Sequence, residues 1–157
     1  MSEIKGLNNL LKKLDNLGGD VEKALYPSVN KMGLFVQGEA KELCPVDTGD
    51  LKQSIICTTV QANNKISSVI STNSDHAPYV EFGTGKVGEN THVEDKYPGN
   101  LAYKQDKWRV NIPDVGVRWI EGQPAQPYLY PALKNNRNEV IKNIKEDLQE
   151  AIREISK

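Results

Sequence analysis

Cysteine is nearly absent from this chain: Cys44 and Cys57 are the only two among 157 residues. Two thiols cannot build the disulfide framework of a small secreted domain, so they read as the reduced thiols of a cytosolic product. Long apolar runs are missing as well. Nothing approaches the roughly 20 residues that span a bilayer, and the opening "MSEIKGLNNLLKKL" lacks the apolar core of a secretory leader. The chain is therefore expected to be made and kept in a cytoplasm, without membrane contact. Neither sign of charge dominates: 20 Lys and Arg face 21 Asp and Glu, for a formal net charge of −1. Without surplus cations to neutralise phosphates, a dedicated nucleic-acid binder is disfavoured. Hydrophobic residues make up only 38% of the chain, which leaves room for burial completed against neighbouring chains.

What is present is strongly patterned. Leu7, Leu10, Leu11, Leu14 and Leu17 recur at helical spacing, and "LGGD" stops that helix and offers Asp20 as the cap of the next. From Val21 a second apolar face runs through Ala24, Leu25, Val29, Met32, Phe35, Val36, Ala40 and Leu43. Pro27 inside it predicts a kink or a restart, and Pro45 ends it. "SIICTTVQA" and "KISSVISTN" read as two strands joined at Asn63-Asn64, since Asn tolerates the positive φ of a tight turn. Residues 86–122 form an irregular arm containing "KWRVNI" and "VGVRWI", read as a hairpin with a mobile approach. After "GQPAQPYLYP" a last helix carries Val140, Ile141, Ile144, Leu148, Ile152 and Ile155 on one face. This order predicts a single α+β domain over residues 1–157: a small antiparallel sheet packed by N-terminal and long C-terminal helices, with an extended β-hairpin arm.

Three short stretches carry unusual backbone chemistry. In "CPVDTGDLKQSI", Pro45 ends a helix, Asp47 is placed to cap a new turn, and Asp50 completes a variant of the capping box. Gly49 permits a backbone angle closed to other residues, while Leu51 and Ile55 point back to the core. The stretch reads as a built corner from helix into sheet, with Thr48 and Ser54 completing the turn motif. In "YVEFGTG", Glu81 is the only charge beside Tyr79 and Phe82, ahead of Gly83 and Thr84, and is suited to accept hydrogen bonds from exposed backbone amides of its own or a neighbouring chain. In "QPAQPYLYPAL", Pro124, Pro127 and Pro131 stiffen the approach to the last helix, and Tyr128 and Tyr130 provide contact area either for a partner or for ordinary packing.

Taken together, in this order and spacing, "PVDTGDLKQSI", "YVEFGTG" and "GQPAQPYLYPAL" followed by a charged amphipathic helix resemble the gene-10-like family of minor tail and neck proteins of long-tailed bacteriophages. The resemblance runs from about Ala24 to the C-terminus. It implies a non-enzymatic virion protein without a cofactor, forming a homo-oligomeric ring at the head–tail junction and helping to complete the tail or join it to the head. Its partners would be copies of itself and other neck and tail proteins, and lysines facing a lumen would touch passing DNA without sequence preference. Candidate basic residues are Lys12, Lys13, Lys104, Lys107, Arg109 and Arg118. The expected contact residues are Tyr79, Glu81, Phe82, Gly83, Thr84, Tyr103, Trp108, Trp119, Pro127, Tyr128, Tyr130 and Pro131.

Two other readings compete: a small metal-dependent hydrolase, and a tail assembly factor that leaves before the virion matures. Asp75, His76, Glu81, His92, Glu94 and Asp95 are close in sequence, but their spacing follows no known ligand pattern. Cys44 with His76 would make a thiol–imidazole pair only if folding joined them, and Cys44 looks like the end of a buried helix face. "FGTGKVGEN" has the wrong glycine spacing for a phosphate loop and reads as the hinge of the arm.

Overall fold

The computed structural model describes residues 20–63, 65–91 and 101–155. The leucine stripe of residues 7–17, its glycine stop, Lys12, Lys13, His92, Glu94 and Asp95 lie outside them. The elements are α1 (Asp20–Leu43), α2 (Asp50–Ser54), β1 (Ile56–Ala62), β2 (Lys65–Ser71), α3 (Ala77–Phe82), α4 (Gly85–Thr91), β3 (Trp108–Ile112), β4 (Gly116–Ile120), β5 (Gly122–Gln123) and α5 (Leu129–Ile155). The class is α+β, as the element order implies. Among the described residues β1 pairs with β2 and β3 with β4, each as a two-stranded sheet. The short connections make both pairs antiparallel hairpins.

Pro27 neither ends nor restarts α1, which is one 24-residue helix. A proline costs one backbone bond there, and the tertiary burial of the helix outweighs it. Ser28, Met32, Val36, Ala40 and Cys44 are all buried, a line that advances by four residues per step. That line passes beside Leu43, which is 46% exposed rather than part of the apolar face. The helix stops two residues before Pro45, and its last amide bond runs from the Cys44 N–H to the Ala40 carbonyl (3.0 Å).

The chain divides into two compact units. The first comprises Met1–Phe35, Cys57–Val69 and Asn136–Lys157. Here α1 meets the first hairpin through a polar seam. The Tyr26 hydroxyl donates to the Thr59 carbonyl (3.1 Å), Thr59 Oγ1 to Asn30 Oδ1 (2.9 Å), and Ser68 Oγ to the Val29 carbonyl (3.0 Å). The same stretch of α1 holds α5, with Ser28 Oγ donating to Asp147 Oδ2 (2.9 Å) and Lys31 beside that carboxylate (3.5 Å). Leu148 and Met32 are buried in this unit.

The second unit comprises Val36–Ile56 and Ile70–Asn135. Its core is Val36, Ala40, Cys44, Ile55, Ala77, Tyr128 and Ala132. Gln37 Nε2 donates to the Ile55 carbonyl (2.8 Å), which ties α1 to the corner.

At that corner the expected Asp47 cap does not form. Gly49 occupies the N-cap of α2 with φ +91°, and no side chain caps it. Thr48 Oγ1 instead donates to Asp50 Oδ2 (2.8 Å), while Asp47 is exposed two residues too early to reach the first amides. Asp47→Ala is therefore expected to change stability by no more than about 0.5 kcal/mol. Gly49→Val should lower it by roughly 1–3 kcal/mol, because a β-branched residue is strained at that φ. Urea unfolding of the two variants side by side checks the contrast, and equal midpoints would reject it.

Candidate functional site

The α3–α4 turn, the arm and the start of α5 lie in the second unit. Their centre is Glu81, which is only 6% exposed. Its Oε2 accepts the backbone N–H groups of Tyr128 (2.8 Å) and Leu129 (3.0 Å), and its Oε1 accepts that of Tyr130 (3.0 Å). A helix start leaves four amide positions without intrahelical partners. In α5 these are Tyr128, Leu129, Tyr130 and Pro131, and proline has no N–H to satisfy. One carboxylate therefore completes the helix start, and its charge complements the positive end of the helix dipole. The acceptor role read from "YVEFGTG" is present, with its donors on the same chain 47 to 49 residues away.

Beside this carboxylate, Tyr128 is wholly buried, and its hydroxyl has no hydrogen-bond partner among the described residues. Burial, then the nearby Cys44 and Glu81, push that hydroxyl well above its ordinary pKa. Burial also raises the Cys44 thiol, with Lys52 opposing and Glu81 adding. A nucleophilic cysteine needs the opposite shift. Among the described residues, no group of three or more His, Cys, Asp or Glu is placed to hold a metal ion.

Next to Glu81 the arm is closed at its base. Thr84 bridges Gln123 and Gly85 bridges Gly122 in antiparallel sense. The Gln123 N–H donates to Thr84 Oγ1 (3.1 Å), Gln123 Nε2 to the Tyr79 carbonyl (2.7 Å), and the Gln126 N–H to the Val80 carbonyl (2.8 Å). Gly122 sits at φ +120°, and a Cβ there would lie 1.7 Å from the Thr84 carbonyl oxygen. Only glycine allows the two chain segments this close. The Tyr103 hydroxyl donates to the Phe82 carbonyl (2.8 Å), and the Trp108 ring lies against Gly85 under Lys104 (5.3 Å to the ring centre). Lys107 pairs with Glu121, whose carboxyl is held below its ordinary pKa by that hydrogen bond.

Above this base β3 and β4 pair as Trp108↔Ile120, Arg109↔Trp119, Val110↔Arg118, Asn111↔Val117 and Ile112↔Gly116. Residues that face each other share a side of a hairpin. Trp119 thus stands with Arg109, whose guanidinium lies 5.9 Å from its ring centre, and with Asn111 and Val117. The tip turns at Pro113-Asp114, with Asp114 at φ 64° and the Val115 N–H donating to the Ile112 carbonyl (3.1 Å). That is a type II turn with proline at its second position. Every residue from Asn111 to Trp119 is exposed, Trp119 to 65%.

The expected contact residues therefore separate. Glu81, Gly83 and Tyr128 are buried within the unit. Tyr103, Trp108, Phe82, Thr84, Pro127, Tyr130 and Pro131 are half-buried, with Lys134 over the Tyr130 ring (5.8 Å). Trp119 and Tyr79, which is 54% exposed, offer open aromatic surface. In the corner motif Pro45, Gly49, Leu51 and Ser54 are half-buried, and Ser54 Oγ lies 2.6 Å from Thr72 Oγ1. The sequence reading missed Gln123, Gln126 and Thr91. Thr91 Oγ1 accepts the Ala125 N–H (2.8 Å), a contact between segments 34 residues apart that no local pattern signals.

Residues 8–83 match the model of the HK97-gp10-like family, described as "Bacteriophage HK97-gp10, putative tail-component". The match includes the corner motif and ends at Gly83, where the arm's clasp begins. No curated protein and no solved structure matches the chain.

Proposed function

We propose that this chain is a structural subunit of a tailed bacteriophage or prophage virion. It forms a homo-oligomeric ring at the head–tail junction and helps complete the tail or join it to the head. The observation that carries this reading is the hairpin. Its outer half is exposed on both strands, while its base is clasped by backbone bridges and aromatic contacts. An isolated two-stranded hairpin is marginal in water, so a firmly held one with an open tryptophan serves contact with another protein. The family match over residues 8–83, which ends before the hairpin, supports a tail role for the chain. Neighbouring copies and other neck and tail proteins are the partners, and Arg118 and Lys104, both exposed, suit non-specific contact with DNA in a lumen.

Mass spectrometry of purified virions and complementation of a deletion phage test this. The chain should be a virion constituent, and its loss should leave heads and tails unjoined or tails of abnormal length. His76→Ala and Cys44→Ser should support normal infectivity. A chain required for tails but absent from virions would instead be an assembly factor. Infectivity lost in a folded His76→Ala protein that still assembles would make this an enzyme.

A further inference from the structure

The exposed side of α5 within the first unit sorts its charges by sign. At about 100° per residue, and counting from buried Leu148, Lys145, Lys142 and Arg153 fall at about 60, 120 and 140°. Glu146, Glu139 and Glu150 follow at about 160, 180 and 200°, so one exposed face is basic and the adjoining one acidic. All six side chains are exposed. Asp147 continues the acidic side but is already engaged by Ser28 and Lys31. A helix stabilised by its own ion pairs closes opposite charges at i, i+3 or i, i+4, yet among the described residues neither Glu139–Lys142 nor Glu150–Arg153 closes. Here one such pair, Lys142–Glu146, is long at 3.9 Å and open to solvent, so it competes weakly with any other partner.

We propose that these two faces are the two halves of one contact between copies of this chain, the basic face of one α5 lying beside the acidic face of the next. The proposal deepens the ring reading above and rests on it. The complement of the basic face is present on the same helix and at the same height. Each base lies within three residues of an acid, about 4.5 Å along the axis (Lys142 with Glu139, Lys145 with Glu146, Arg153 with Glu150). Two parallel copies therefore meet in register without sliding past each other. A head-to-tail contact made by rotation without translation closes into a ring, whereas one with translation grows into a filament. Electrostatic matching of this kind sets partner choice and register more than affinity.

Native mass spectrometry of the full chain tests this with two charge-reversed proteins. One carries Lys142→Glu, Lys145→Glu and Arg153→Glu; the other carries Glu139→Lys, Glu146→Lys and Glu150→Lys. Circular dichroism should show both folded. Each alone should need at least roughly tenfold more protein than wild type to assemble, because both of its faces then carry one sign. Mixed in equal amounts they should form rings in which the two alternate, and wild-type rings should weaken as salt rises. Wild-type-like assembly by either variant alone, a mixture of folded variants that stays monomeric, or a wild type that stays monomeric at high concentration would each overturn the proposal. If the variants assemble normally and the chain is found in virions, only the α5 contact fails and the tail reading stands.

Discussion

Replacing Glu81 with alanine is expected to destabilise the second unit by about 3–5 kcal/mol. The carboxylate is nearly buried and accepts three backbone amides at the start of α5. Alanine leaves all three donors without a partner, the Tyr128 N–H in a fully buried setting. Each stranded buried donor costs about 1–3 kcal/mol, less where water reaches it. Glu81→Gln keeps an acceptor oxygen but loses the charge, so it should fall between alanine and wild type. Glu81→Asp should behave nearly like alanine, because a side chain one methylene shorter cannot reach both oxygen positions. Urea unfolding gives the ranking, and amide hydrogen exchange gives the location: Tyr128, Leu129 and Tyr130 should exchange much faster in the alanine variant. An unchanged midpoint with unchanged exchange at those three amides would show that the helix start needs no carboxylate.

Trp119→Ala should have the opposite profile. The ring is 65% exposed, so its removal should move stability by no more than about 0.5 kcal/mol. In assembly it should act as a hot spot, costing about 2 kcal/mol or more, roughly a thirtyfold loss of affinity for its partner. Trp108→Ala makes the control. Its ring is half-buried against Gly85 and beneath Lys104, so about 2 kcal/mol of folding stability should go with it. Denaturation midpoints and counts of completed tails by electron microscopy read the two effects separately. If Trp119→Ala completes tails at normal yield, the hairpin is not a contact. If it melts well below wild type, the ring belongs to the chain's own packing.

The periodic elements were legible because burial in them repeats. The strands either side of Asn63-Asn64 and the Trp108–Ile120 hairpin follow from β-branched alternation and turn residues. α5 follows from its apolar spacing. At the corner the presence of a turn was readable, but its capping residue was not. Asp47 suits a cap, and only the left-handed backbone at Gly49, itself the N-cap, shows that no side chain takes that role. The role of Glu81 was half readable. A lone acid among aromatics signals an acceptor, yet its donors are nearly fifty residues away, and local spacing carries no information over that distance. The missing N–H of Pro131 was the available clue that the start of α5 needed only three donors satisfied. Among the aromatics, type alone could not separate Trp108 from Trp119. Strand alternation puts them on opposite faces of the hairpin, and only the approach of Gly85 reveals which face the body covers.

The clasp of Thr84 and Gly85 with Gly122 and Gln123 also separates two evolutionary problems. The backbone bridges that close the base lie at these four residues, Tyr103 and Trp108 add side-chain contacts from within the arm, and the carboxylate cap of α5 comes from Glu81 outside it. The outer hairpin from Asn111 to Trp119, exposed throughout, is therefore the exchangeable cassette. Doubling such a loop raises its closure cost by only about 0.6 kcal/mol. A lineage can lengthen, shorten or rewrite that cassette to follow a changing partner while the scaffold's sequence stays under its own, unrelated constraint.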